Sequence, residues 1–411
     1  MDRSPLDLYK PDFWYTLAIA VLVLVPLKAP VVRKWAWAAI NLAFLGVLLG
    51  VPDLWGPLQR QAYLEAARML GASDLLRVCA CLFVAYIVLQ AVQRRWLGVI
   101  PLALAGLALA TLFTIHKLPS TASVYRLADV KSALGAIGFS YAALRLVDAL
   151  RLTHEGRHAA PDLPSTINYL LPFHMLAAGP IQGYADFMAQ PAVPPPLGAS
   201  DALRAVERIA LGLFKKYVIA DLLESSLLTP FPTPFVFGAF EVMLFYFLLY
   251  LDFSAYSDIT VGAGRLMGVA TPENFNRPYV ARNLVDFWDR WHMSLSQFIY
   301  RNIFIPVQMA LVRRTGPKSA LWCGAVAFLV SFLLCGLWHS LDVRWAMWGM
   351  MHALGLVVVV WYRAWLKRRL GREAMNRYRA HLGIRLLAVV LTQAYVAVTL
   401  QVVTWPLELS T

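Results

Sequence analysis

The chain has 411 residues, of which 59% are apolar and 15% charged, against about 45–50% and about 25% in ordinary soluble domains. That composition excludes a disordered chain, a coiled coil, a disulfide-stapled secreted domain and an ordinary cytosolic enzyme, and apolar blocks long enough to span a bilayer make it a polytopic membrane protein. The balance of 37 basic and 24 acidic residues, a net +13, fits loops held on the cytoplasmic side against anionic lipid better than it fits nucleic-acid binding.

Met1–Asp12 is mixed in charge, holds two prolines and is followed by no small-residue cleavage site, so it is not expected to be a cleavable signal. Apolar spans are predicted at Phe13–Leu27, Trp35–Val51, Val78–Val92, Leu97–Ile115, Leu134–Leu150, Ile209–Leu228, Phe235–Leu251, Leu321–Trp338, Val343–Trp365 and Ile384–Trp405. Several are shorter than the roughly 20 residues of a straight crossing, which implies a thinned bilayer or helices broken inside the protein. Leu134–Leu150 is the weakest, because Arg145 and Asp148 sit inside it. Pro161–Pro196 alternates apolar runs with Pro and Gly and reads as a re-entrant or interfacial segment followed by a loop. Leu251–Val269 is helical in pattern but carries Asp252, Asp258 and Arg265. Asn283–Arg314 is predicted as a long amphipathic helix, too charged to cross lipid, lying along an interface or lining a cavity. Cys79, Cys81, Cys323 and Cys335 all fall in apolar stretches without metal spacing and read as packing residues.

The loop before the last span holds Lys367, Arg368, Arg369, Arg372, Arg377, Arg379 and Arg385 against the single acid Glu373. A short loop this basic is expected to be cytoplasmic. Arg313, Arg314 and Lys318, two crossings earlier, agree with it, which turns the Trp338–Asp342 connection and the C-terminus outward. The N-terminal loops are nearly balanced in charge and set no orientation.

His339 closes an apolar run in Cys335-Gly-Leu-Trp-His339-Ser340. Imidazole is the side chain best suited to take a proton from a hydroxyl near neutral pH; Gly336 permits a close approach and Trp338 supplies a wall. A histidine at the membrane interface, reaching toward headgroups, fits the same pattern. His292 lies in Asp286-Phe-Trp-Asp-Arg-Trp-His292-Met-Ser-Leu-Ser296, where a helix would align Trp288, His292 and Ser296 on one face and pair Asp286 with Arg290. That face suits a polar cavity with an apolar wall, though an interfacial aromatic belt has the same composition. Asp252, Ser254, Tyr256, Ser257 and Asp258 are expected to bond to backbone or to Arg265 and Arg277 and to shape the cavity. His352 reads as a packed helix residue, and His174 is ambiguous. Phosphate loops, zinc helices and nucleophile elbows are absent from the sequence, as are the paired interrupted halves of an inverted-repeat transporter.

Asn274-Phe-Asn-Arg-Pro-Tyr279, Phe287-Trp-Asp-Arg-Trp-His-Met-Ser-Leu-Ser296 and Gly336-Leu-Trp-His339 resemble, in order and spacing, the signature of the membrane-bound O-acyltransferase (MBOAT) family. Ala178-Gly-Pro-Ile181 with Tyr184 and Phe187, and Tyr256-Ser-Asp258 with Gly262 and Gly268, are similar to two further stretches of that family. The likeness covers roughly residues 165–355; the N-terminal third matches in hydropathy alone. Within the family the chain resembles the bacterial branch that acylates cell-envelope polymers. Its length and the stretch Pro306–Arg314 favour the D-alanyl-transferring group, and the Ile305-Pro306 pair favours the acetylating one. His174 and Ser340 depart from the commonest family residues.

The resemblance implies an all-α fold: a ring of about 10–12 transmembrane helices plus re-entrant and interfacial helices around a central funnel. It also implies one integral-membrane acyltransferase domain over 1–411, made of N-terminal helices (1–150), a motif core (165–355) and a basic cytoplasmic loop with a last helix (356–411). It assigns His339 as catalytic base and His292 as orienting partner. Trp288, Trp291, Ser296, Trp338, Asn276, Asp258 and Tyr256 are expected along the substrate tunnel. No bound cofactor and no metal is expected. The donor would be a phosphopantetheine carrier-protein thioester or acyl-CoA, the acceptor hydroxyls of an extracytoplasmic polymer such as teichoic acid or an exopolysaccharide, and the location the bacterial inner membrane. An exporter of polymer or lipid and a non-catalytic scaffold of an envelope complex are the alternatives from other classes.

Overall fold

The computed structural model describes residues 11–48, 64–95, 138–176, 178–223, 225 and 239–404. The predicted span Leu97–Ile115 and His116 lie outside them, as do parts of Leu134–Leu150, Ile209–Leu228 and Phe235–Leu251. Among the described residues there is no strand, and the chain forms two compact units, one of residues 1–211 with 256–272 and one of 212–255 with 273–411.

The helices in chain order are α1 (Pro11–Leu24), α2 (Pro30–Leu48), α3 (Leu64–Gln93), α4 (Phe139–His154), α5 (Leu163–Leu170), α6 (Tyr184–Met188), α7 (Ala199–Phe214), α8 (Ala239–Met267), α9 (Leu284–Trp288), α10 (Met293–Ile299), α11 (Ile305–Thr315), α12 (Ala320–His339), α13 (Val343–Arg369), α14 (Arg372–Ala380) and α15 (Leu382–Thr404). Among the described residues six stretches are long and apolar enough to cross a membrane: Pro30–Leu48, Leu75–Gln93, Val242–Met267, Pro317–His339, Val343–Arg369 and Leu382–Val403. A multi-pass, all-helical membrane protein is therefore what the chain forms.

The described part of Phe235–Leu251 and Leu251–Val269 join in the single helix α8, where Asp252 and Asp258 find cationic partners. Within Ile209–Leu228, α7 widens into a π-helical turn at Lys215–Ala220, where Lys216 pairs with Asp252 and Lys215 lies 3.5 Å from Ser254.

In the first unit, α1 packs on α2, α2 on α5, and α3 and α5 on α4. The broken Pro/Gly segment is held from α4. Arg145, fully buried, donates to the carbonyls of Leu170 (3.2 Å), Met175 (3.1 Å) and Pro180 (3.2 Å). Asp148, also buried, accepts from the Tyr184 backbone N–H at 2.8 Å. The two charges that weaken Leu134–Leu150 as a span are thus the clamps of the broken Pro/Gly segment, supplying its backbone groups with protein partners. Arg145→Leu is expected to lower stability by about 1–3 kcal/mol for each carbonyl left unmet, read as a lower thermal midpoint in detergent; an unchanged midpoint contradicts the clamp.

In the second unit, α12 and α13 form an antiparallel hairpin closed by Ser340–Asp342, the most extensive helix pairing among the described residues. The Asp342 carboxylate caps α13, accepting from the Arg344 backbone N–H at 2.8 Å. α11 packs on α12, and α13 on α9 and α15. The hairpin returns the chain to the side it left, so Arg313, Arg314 and Lys318 share a side with the basic stretch after α13. Cys323 and Cys335 are buried as packing residues, whereas Cys81 is exposed.

Candidate active site

The stretch predicted as one helix over Asn283–Arg314 is four pieces. Asn283 caps α9 by accepting from the Asp286 N–H at 3.1 Å. The chain then breaks at His292, whose backbone is left-handed (φ 44°, ψ 51°), a conformation non-glycine residues adopt only when their surroundings impose it. A π-helical turn at Tyr300–Phe304 follows and leads into α11, accommodating Pro306, which lacks an N–H and whose ring crowds the carbonyl four residues back. The helical face proposed for Trp288, His292 and Ser296 therefore does not exist as such. The expected Asp286–Arg290 pair does, at 2.6 Å.

His292 is held from both sides by the Asn274–Asn276 turn: Met293 N–H donates to Asn274 O (2.9 Å) and Asn276 N–H to Arg290 O (2.9 Å). The Asn274 side-chain oxygen accepts from the Ser294 backbone N–H (3.3 Å), the Ser294 hydroxyl (2.8 Å) and His292 Nδ1 (3.0 Å). Since a backbone N–H can only donate, the atom facing it is the oxygen, and Nδ1 must carry the proton. Nε2 is then a bare lone pair, buried and without a hydrogen-bond partner. Burial, followed by the neighbouring charge of His339, pushes His292 down to about 3, so it is neutral at physiological pH. Phe253 stands edge-on to it at 4.7 Å.

His339 ends α12, half-buried in a box of indoles. Trp345 stacks on it (4.6 Å between centroids, 21°), Trp338 is edge-on at 4.7 Å and Trp348 perpendicular at 5.7 Å. The close approach at Gly336 is to the Trp345 carbonyl of α13, which brings that indole to the histidine.

A cavity of about 290 Å³ lies beside these elements, lined by Trp288, Met293, Ser296, Ile299, Phe304, Phe328, Ser331, Phe332 and Leu356 among others. Trp288 and Ser296 thus meet at one cavity although no continuous helix joins them; neither His292 nor His339 lines it. Trp291 is buried among Tyr246, Tyr250, Phe275 and Phe287, and Asn276 is an exposed turn residue that contributes through its backbone.

Tyr256 and Asp258 belong to the first unit. Asp258 pairs with Arg208 at 3.1 Å, and Tyr256 lies in the electrostatic neighbourhood of Arg145. The partners expected for the acidic residues, Arg265 and Arg277, are replaced by Lys216 for Asp252 and Arg208 for Asp258, because α7 and its π-turn lie alongside α8. His174, also in this unit, is fully buried, with Nε2 3.1 Å from Thr271 Oγ1. Burial and then the Arg145 charge push it down to about 3. Asn274, Trp345 and Trp348 are site residues not singled out from the sequence; Asn274 stands in the Asn274–Tyr279 motif, but its bonds to His292 and Ser294 are made across 18 and 20 residues.

Folding holds His174 and His292 neutral far below their ordinary value of 6.5. An unfolded chain therefore takes up protons that the folded one refuses. Stability is full above about pH 6.5 and falls on acidification toward pH 3, by about 1.4 kcal/mol per pH unit for each group. Thermal unfolding from about pH 7 to about pH 5 is expected to show this slope, with His174→Gln losing one share of it; a pH-independent midpoint contradicts it.

The helix order, the paired motif segments and the histidines define a class. The chain belongs to the membrane-bound O-acyltransferase (MBOAT) family, whose model matches residues 107–398. It is similar to the teichoic acid D-alanyltransferase of Streptococcus thermophilus, 28% identical over 267 residues, covering 62% of either chain. The protein of that name from Bacillus subtilis is 26% identical, over 56% of this chain and 60% of the relative. A peptidoglycan O-acetyltransferase of Helicobacter pylori is 31% identical over 45% of this chain and 35% of its own. The match thus spans less than two thirds of the length of these relatives.

Proposed function

We propose that the chain is an O-acyltransferase that moves a D-alanyl or acetyl group from a thioester on the cytoplasmic side to hydroxyls of a cell-envelope polymer outside. The single observation carrying this reading is the pairing, within one unit, of a buried neutral imidazole with a bare Nε2 (His292) and a half-open imidazole in an indole box (His339). The names of the relatives, acting on teichoic acid and peptidoglycan, support the polymer class.

In this mechanism His339 takes the acceptor's hydroxyl proton as its oxygen attacks the thioester carbonyl. The C–S bond breaks, an ester forms, and the proton passes from His339 to the departing sulfur. His292, driven too low to serve as a base near pH 7, receives a hydrogen bond at Nε2 and orients the hydroxyl. The donor is a phosphopantetheine carrier-protein thioester or acyl-CoA. The basic side of α11, α13 and α14 suits an acidic donor, speeding encounter more than deepening affinity. The location is the bacterial inner membrane.

Purified protein supplied with D-alanyl-carrier thioester or acetyl-CoA, and with a polyol phosphate polymer or a polysaccharide, is expected to form acyl ester with one donor and to release free thiol in equal amount. An intact thioester with every donor and acceptor contradicts the reading.

A further inference from the structure

Trp345, Trp348 and His352 stand at i, i+3 and i+7 of α13 and so share one face of that helix. Trp345 and Trp348 box His339, and Trp348 lies 4.6 Å from the His352 ring. His352 itself is 1% exposed. Thr399 of α15 fixes its protonation pattern. Thr399 Oγ1 is 2.8 Å from the Val396 carbonyl and 3.0 Å from His352 Nε2. A hydroxyl has one proton, and the carbonyl can only accept, so the hydroxyl oxygen accepts from an N–H on Nε2. The neutral imidazole then presents a bare lone pair at Nδ1. That atom is buried without a partner, and so is the indole Nε1–H of Trp348, one turn away on the same helix face. A buried acceptor and a buried donor left unmet are each costly, and here they belong to two rings in contact, with centroids 4.6 Å apart.

We propose that His352 is a positioning residue for His339: its Nδ1 accepts the Trp348 indole N–H, and Trp348, so anchored, holds the plane of the His339 ring. Thr399 is the outer support that keeps Nδ1 free to accept. This rests on the acyl-transfer reading for its kinetic consequence, while the tautomer and the indole bond stand independently of it.

Two measurements on the full-length protein in lipid test it. With 15N-labelled histidine, solid-state NMR is expected to show His352 protonated at Nε2 and bare at Nδ1, with the Nδ1 signal shifting in Trp348→Phe; the opposite tautomer, or a signal indifferent to Trp348→Phe, overturns the proposal. In transfer assays, His352→Ala and Trp348→Phe are each expected to lower kcat about tenfold or more with the donor KM unchanged. The double variant is expected to be no worse than either single one, and His352→Asn, which keeps an acceptor at the δ position, to recover part of the loss. Losses that multiply in the double variant, or that appear in KM alone, overturn it. If His339→Ala abolishes transfer while His352→Ala leaves kcat intact, the positioning role alone fails; if His339→Ala also leaves turnover intact, the acyl-transfer reading fails with it.

Discussion

Replacing His339 by alanine is expected to give a folded, membrane-inserted protein whose acyl transfer is lower by about 10²–10⁴-fold, the usual worth of a positioned general base. The fold survives because the imidazole is half-buried at the end of α12 rather than packed at its centre, and the indoles of Trp338, Trp345 and Trp348 remain to bound the gap. The effect belongs in kcat, since proton removal from the attacking hydroxyl is needed only in the transition state. His292 cannot take over: burial and the His339 charge hold it near 3, and its Nδ1 proton is committed to Asn274. Turnover equal to the parent protein refutes the assignment, and a loss confined to KM moves His339 from chemistry to binding.

The second large effect is expected from Gly349→Ala. The α12–α13 hairpin is held by two backbone contacts that only glycine allows. A Cβ on Gly349 would stand 2.1 Å from the Phe332 carbonyl oxygen and 2.9 Å from its carbon, and one on Gly336 would stand 2.1 Å from the Trp345 oxygen. Neither neighbour is a flexible side-chain end, so the helices must part. Small residues at such crossings are how membrane helices gain close packing. Overpacking against rigid backbone typically costs about 1–3 kcal/mol, and here it also displaces Trp345 from His339. Thermal unfolding in detergent is expected to show a large fall for Gly349→Ala and at most about 1 kcal/mol for Gly371→Ala, where a Cβ meets nothing within 4 Å. Equal midpoints for the two variants contradict the account of the hairpin.

Much of this was legible in the sequence, and what was not has physical reasons. Hydropathy located α12, α13 and α15 because their apolar runs are long and uninterrupted. It marked Arg145 and Asp148 as weakening a span but could not assign their role, since the three carbonyls that satisfy Arg145 lie 25 to 35 residues further on. Helical periodicity correctly paired Asp286 with Arg290 but carried the helix straight through His292. The left-handed turn there is imposed by Asn274 and Asn276, a tertiary effect with no local signature. The partners of Asp252 and Asp258 were misassigned because nearby arginines were preferred to Lys216 and Arg208, which only the packing of α7 against α8 reveals. His352 was rightly read as packed; its tautomer needed Thr399, 47 residues away.

In the proposed transfer one centre, built on His292 and His339, joins a donor on one side of the membrane to a hydroxyl on the other. It is tested most directly in sealed proteoliposomes with radiolabelled acyl thioester outside and a hydroxyl polymer enclosed, with the protein oriented so that its basic stretch after α13 faces outward. Label is expected to appear as ester on the enclosed polymer, with free thiol left outside and both stopped by His339→Ala. Intact labelled thioester inside the vesicles, or esterification only of polymer added on the donor side, would contradict it.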